Sequence, residues 1–65
     1  MIELTNEEFD KCLLPKKLSF QFSEAARLVL VHGIGIAVAT SVVGLAKTDV
    51  AKVNDIIKLF EKAKG

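Results

Sequence analysis

Apolar residues recur at steps of three and four along the last third of the chain. Val50, Val53, Ile57 and Phe60 follow this spacing, and Ile56 lies at the edge of the same stripe. This spacing places side chains on one face of an α-helix, so the pattern predicts an amphipathic helix. The opposite stripe is mostly polar and consists of Lys47, Ala51, Asn54, Asp55, Lys58 and Lys62.

A first helix is predicted near the start of the chain. Thr5 followed three residues later by Glu8 is a capping box, in which each side chain accepts a hydrogen bond from the other residue's amide. Phe9 and Leu13 then fall on one face. Pro15 should end the helix, because a proline disfavours the helical conformation in the residue before it.

A second helix is predicted from Ser19, as N-cap, to a left-handed C-cap at Gly33. The segment LVLV, residues 28–31, could also form a buried strand. Nothing else in the chain offers that strand a partner, so we favour a helix. The predicted buried face consists of Phe22, Ala25, Ala26 and Val29, with His32 as a further candidate.

The stretch LVLVHGIGIAVATSVVGLA, residues 28–46, has no charged side chain apart from the imidazole of His32. Nineteen such residues approach the length of a membrane span. Gly33, Gly35 and Gly44 interrupt the stretch, however, and the flanking helices are amphipathic and charged. We therefore expect a short buried helix, roughly Ile36–Val43, and keep a membrane span as the alternative.

Composition restricts the remaining possibilities. With 65 residues the chain has room for one domain, residues 1–65, which we expect to be all-α with about four helices. A single cysteine, Cys12, excludes a disulfide within the chain. One cysteine and one histidine cannot supply a structural zinc site, so we expect no metal and no cofactor. The acidic N-terminus argues against a secretory signal, and we expect a cytoplasmic protein.

The spacing around Gly44 fits a helix-turn-helix. Two helices cross closely four residues before the turn glycine, where a small side chain is required and Thr40 stands in place of the usual alanine. Six residues after the glycine, Val50 should fill the angle between the helices. The other predicted core contacts of this unit, which spans about residues 36–63, are Ala39, Val43, Leu45 and Val53.

Three segments, LTNEEFDKCL, FSEAARLVLVHG and ATSVVGLAKTDVAKV, resemble in order and spacing the TrfB-related, KorA-like plasmid transcriptional repressors. The similarity covers roughly residues 4–62. Its most telling positions are Ala39, Thr40, Ser41, Gly44 and Leu45. The resemblance implies a helix-turn-helix repressor that binds double-stranded DNA as a dimer.

Two departures from that family concern the dimer. The family carries a further dimerisation region after its recognition helix, whereas this sequence stops at Gly65. The family is also more polar at the entry to the motif, residues 33–36 here. We expect exposed apolar residues to form the dimer contact instead, either Ile34 with Ile36 or the edge formed by Ile56 and Leu59.

The resemblance also implies which residues meet DNA, since the second helix of the motif lies in the major groove. Lys47 or Lys52 could donate to guanine, Thr48 could contact a base or a phosphate, and the Ala51 methyl could contact a thymine methyl. Asp55 could accept from cytosine. Candidates for phosphate contact are Lys58 and Lys62, together with Thr40 and Ser41 if these are exposed.

We therefore expect a transcriptional regulator, a repressor of a plasmid or phage promoter that binds a palindrome as a homodimer. A net charge of +1 is too small for a polybasic binder, so specificity must come from base contacts and two half-sites. No catalytic constellation is evident, because Cys12 and His32 have no supporting acid and GIG lacks the Lys-Ser/Thr of a P-loop. The alternative is a small protein-interaction module whose lysines only face water.

Overall fold

The computed structural model describes residues 3–13 and 18–64. In this part of the chain all regular secondary structure is helical, which confirms the predicted all-α class. A 3₁₀ turn precedes the last helix and continues directly into it. The elements are α1 (Asn6–Leu13), α2 (Phe20–Leu30), α3 (Ile36–Val42), the 3₁₀ turn (Lys47–Asp49) and α4 (Val50–Lys64).

The start of α1 confirms the predicted capping box. The Glu8 amide donates to the Thr5 hydroxyl, the Thr5 amide donates to the Glu8 carboxylate, and both distances are 3.1 Å. These bonds satisfy amides that have no partner within the helix. Phe9 is fully buried and Leu13 packs against the same core. The predicted helix stop at Pro15 lies outside the described residues.

The predicted N-cap of α2 is present, but the helix ends two residues earlier than expected, with Val31 as its C-cap in place of Gly33. The Ser19 hydroxyl accepts from the Phe22 amide at 3.4 Å. At the other end the Leu30 carbonyl accepts from the Leu4 amide at 2.7 Å, and the Ile34 amide donates to Leu28 at 3.0 Å. The Leu30 carbonyl is therefore bonded to the N-terminal segment and not to the Ile34 amide, which would be its partner in a longer helix.

The long apolar stretch is divided into short elements. It begins in the last turn of α2, passes through a turn that contains Gly33 at φ +71°, and forms α3. Gly35 is the N-cap of α3, and Gly44 follows its end. No helix in the described ranges is long and apolar enough to cross a membrane. His32 is exposed in the turn, so it does not belong to the buried face of α2.

The core forms where α2 packs against the other three helices. The Phe9 and Phe60 rings stack with their centroids 4.8 Å apart, and the Arg27 guanidinium lies 4.7 Å from the Phe9 centroid. Three residues of the predicted stripe of α4, Val53, Ile57 and Phe60, are buried here. The buried apolar residues are Leu4, Phe9, Ala25, Ala26, Val29, Leu30, Ala39, Val53, Ile57 and Phe60.

Arg27 ties α1 to α2 through polar contacts. Its guanidinium donates to Asn6 Oδ1 at 2.8 Å and to Asp10 Oδ1 at 2.9 Å, and its Nε lies 3.6 Å from Glu24 Oε1. The planar guanidinium can make these contacts and stack on Phe9 at the same time. This residue therefore fixes how the first helix lies on the second.

Candidate nucleic-acid interface

The turn between α3 and α4 is held by backbone geometry and by a side chain from α2. Gly44 has φ +82°, a conformation that residues with a Cβ rarely adopt. Its amide donates to the Ser41 carbonyl at 3.0 Å, and the Leu45 amide donates to the Thr40 carbonyl at 3.0 Å. The Gln21 amide nitrogen donates to the Val43 carbonyl at 2.9 Å. No local sequence pattern singles out Gln21, because its partner lies 22 residues away.

Thr40 is buried at the crossing of the helices. Its side chain is 1% exposed, and its hydroxyl donates to the Ile36 carbonyl at 2.7 Å. Thr40 is thus small enough to be buried at this position, and the hydrogen bond within α3 satisfies its hydroxyl. The condition set for a phosphate contact from Thr40, an exposed side chain, is not met. The prediction of Thr40 as a DNA contact is therefore wrong, because its side chain is buried.

The other residues expected to support this turn vary in burial. Ala39 and Val53 are fully buried, and Val43 and Leu45 pack against the core. Val50, expected in the angle between the helices, is half-buried and lines an open groove there. The spacing on both sides of Gly44 thus corresponds to inward-facing positions, with the angle filled only in part.

Asp49 organises the start of the final helical segment. Its carboxylate accepts from the Ala46 amide at 3.0 Å, and its own amide donates to the Ala46 carbonyl at 2.9 Å. An acidic residue in the first helical turn is also favoured by the helix dipole. Asp49 was not singled out from the sequence, although an acidic residue at this position is a known capping signal.

The remaining candidates lie on the surface. Lys47 lies in the 3₁₀ turn, Lys52 and Lys58 follow on α4, and within the described residues none of the three forms an ion pair. Ten residues separate Thr48 from Lys58, about 15 Å along a helix axis. The candidates thus extend over the length of the element and do not form one compact cluster. All of these are exposed: Ser41, Lys47, Thr48, Ala51, Lys52, Asp55, Lys58 and Lys62.

A groove joins the two helices of the candidate interface. Its volume is about 450 Å³, and it brings Ser41 of α3 next to Lys47. Ala37, Leu45 and Val50 form its apolar walls. One cation, one hydroxyl and apolar walls suit a sugar–phosphate backbone, which offers both charge and apolar surface.

The exposed apolar side chains agree only in part with those expected at the dimer contact. Ile34, Ile36 and Ile56 are half-buried and pack against the core. The large apolar residues with high exposed fractions are Phe20 at 77%, Val42 at 66%, Val38 at 57% and Leu59 at 52%. Of the expected dimer contacts, Leu59 is thus the most exposed.

Neither a search for metal ligands nor a comparison with known proteins adds a functional residue to the candidate interface. The described ranges contain no group of three or more His, Cys, Asp and Glu side chains that could hold a metal ion. No protein-family model and no curated protein matches the chain. The resemblance to the TrfB-related repressors therefore rests on the residues quoted above.

Proposed function

We propose that the chain binds double-stranded DNA through α3, the Gly44 turn and α4, used as a helix-turn-helix. The observation that carries the proposal is the placement of Lys47 and Lys52. Both are exposed, form no ion pair with any described residue, and lie at the start of a helix that follows a turn at positive φ. A helix presented in this way can enter the major groove with its N-terminal residues at the base edges.

In this arrangement the first turns of α4 supply the sequence specificity. Lys52 donates to guanine O6 or N7, and the Ala51 methyl contacts a thymine methyl. Lys47, which lines the protein groove, and its neighbour Thr48 contact either a base or a phosphate. Ser41 contacts the phosphate backbone from the side of α3. The exposure and spacing of these side chains support this assignment.

The proposal includes a homodimer and a palindromic operator. The net charge of +1 limits the affinity that counterion release can supply, so two half-sites are needed for tight binding. A dimer bound across a promoter represses by excluding the polymerase. The resemblance to plasmid repressors supports a mobile-element promoter in the cytoplasm as its target.

A protein-interaction module is the second candidate, and the exposed apolar side chains favour it. Phe20 is exposed, and Val38 and Val42 lie one turn apart on α3, where they form an exposed apolar pair. On this account the same helices bind another protein and the lysines face water. It predicts no salt-dependent DNA binding and a strong effect of replacing Val38 or Val42 by a charged residue.

The test is a selection from a random duplex library, followed by titration of the enriched sequence at two salt concentrations. We expect a palindrome whose affinity falls as salt rises. Lys52→Ala should cost about 1–3 kcal/mol and relax the preference at one base pair. Lys11→Ala, which removes an equal charge from α1, is the matched control and should change little. If no duplex is enriched with folded protein, the DNA proposal is wrong.

A further inference from the structure

Leu59 interrupts the polar surface of α4. It is 52% exposed, although the helix directs Val53, Ile57 and Phe60 into the core. Ile56 lies next to it and is half-buried. Leu59 is therefore a large apolar side chain that the fold of one chain leaves half uncovered.

Opposite charges lie one turn to either side of Leu59. Asp55 precedes it by four residues and Lys62 follows it by three, so both point to the same flank of Leu59. Ile56, three residues before Leu59, points to the other flank. Asp55 and Lys62 are both exposed, and neither has an ion-pair partner among the described residues.

We propose that a second copy of the chain docks on this stripe, with the two α4 helices antiparallel and crossing at Leu59. A two-fold axis at Leu59, perpendicular to both helices and lying between them, makes the helices antiparallel. The flank that carries Asp55 and Lys62 then lies on the same side of the helix pair in both copies. Asp55 of one copy then faces Lys62 of the other, and the same pair forms twice. Asp55 is thereby a dimer contact, which removes an acidic side chain from the neighbourhood of DNA phosphates.

The exposed face of α3 fits a second copy less well. Val38 and Val42 are exposed there, but no residue from 33 to 46 is charged, so nothing fixes the register of two copies. The same short helix carries Ala37 and Ser41, which line the groove beside Lys47. A copy packed on α3 would therefore cover the groove itself, whereas a copy centred on Leu59 lies about 10 Å along α4 from Lys52.

The spacing between the two halves of the dimer also agrees, an argument that rests on the proposed function. Eleven residues separate Thr48 from Leu59, about 17 Å along a helix. Doubling this distance about the two-fold axis, with helices 8–10 Å apart, separates the two Thr48 residues by about 34 Å. Half-sites in successive major grooves of B-DNA lie about 34–36 Å apart.

The contact is small, so the dimer should be weak in the absence of DNA. The surface of one chain measures 4159 Å², and a standard interface of about 800 Å² per partner would take roughly a fifth of it. One helix pair covers less than that. We expect dissociation on dilution through the micromolar range.

Sedimentation equilibrium without DNA tests the dimer, at protein concentrations up to about 1 mM, where a weak association is still detected. The wild type should show a reversible monomer–dimer equilibrium, and Leu59→Glu should be monomeric while keeping its helical circular dichroism. Val42→Glu places the same charge on the exposed face of α3 and should dimerise like the wild type. A monomeric wild type at the highest concentration, or a dimer lost in Val42→Glu but kept in Leu59→Glu, would overturn the proposal.

A charge exchange tests the orientation. Asp55→Lys alone and Lys62→Asp alone should each weaken dimerisation at least several-fold, because each sets like charges against each other. The double variant should recover most of the wild-type association. A double variant weaker than both single variants contradicts the antiparallel pairing. Since DNA is absent, a failed DNA selection leaves these results intact, and specific DNA binding by a fully dimeric Leu59→Glu would refute the inference alone.

Discussion

Replacing Gly44 by alanine should destabilise the protein through the backbone alone. Gly44 has φ +82°, where an L-residue is strained. A Cβ built on this glycine meets Gln21 Nε2 at 3.5 Å, which is an ordinary contact. No steric clash therefore adds to the cost, and the effect isolates the conformational requirement of the turn.

The expected loss is about 1–2 kcal/mol, the usual cost of the left-handed region for a residue with a Cβ. For a domain of this size, 1 kcal/mol corresponds to a shift of about 4–8 °C in Tm. Gly44→Ala should therefore melt about 4–16 °C below the wild type. Since the turn orients Lys47 relative to Ser41, DNA affinity should also fall in protein that is still folded.

Thermal and urea unfolding, followed by circular dichroism, measure this loss. Gly35→Ala is the matched control, because Gly35 has φ −60° and nothing within 4 Å of its would-be Cβ. It should lie within about 0.5 kcal/mol of the wild type, since alanine adopts that backbone without strain. The chain is short enough for chemical synthesis, and D-alanine at position 44 should restore stability. An L-alanine variant as stable as the wild type, or a D-alanine variant equally impaired, would refute the reasoning.

Two further predictions concern side-chain hydrogen bonds, one of a buried residue and one at the surface. Thr40→Val removes a hydroxyl whose acceptor, the Ile36 carbonyl, lies within the same helix; we expect a change below about 1 kcal/mol in urea unfolding, because no donor is left unsatisfied. A loss above 3 kcal/mol would contradict this account. Arg27→Ala removes the hydrogen bonds to Asn6 and Asp10 and the stacking on Phe9; we expect a loss of about 2 kcal/mol, only partly reproduced by high salt in the wild type. If high salt lowers the stability of the wild type by the full loss seen in Arg27→Ala, Arg27 stabilises the fold through its charge alone, which contradicts this account.

Helices were predictable where the signal is local. The spacing of Val53, Ile57 and Phe60 predicts the buried face of α4, and these residues are buried. The capping box at Thr5 and the N-cap at Ser19 involve partners three residues away, so sequence alone reveals them. Positive φ at Gly33 and Gly44 follows from the same short-range rules.

Features set by distant residues were not predictable. The end of α2 depends on the Leu4 amide, which lies 26 residues before its acceptor, Leu30. Gln21 reaches Val43 across the α2–α3 packing, and Arg27 reaches back to α1. No pattern of three or four residues encodes such contacts.

The candidate interface was predictable in its residue types but not in its exposure. Solvent-facing lysines on α4 follow from the amphipathic pattern. Whether Thr40 faces solvent depends on how tightly α3 packs, and its hydroxyl turned out to be buried. Asp49 was overlooked, because its role depends on where the 3₁₀ turn begins.

The most direct test of the proposed function is an NMR titration of the isotope-labelled chain with the selected duplex. At 65 residues every amide can be followed individually. We predict that the perturbed amides cluster from Lys47 to Lys52 and at Ser41, and that the effect weakens with salt. Perturbations centred on Phe20, Val38 and Val42, or none at all, would contradict recognition of DNA through the start of α4.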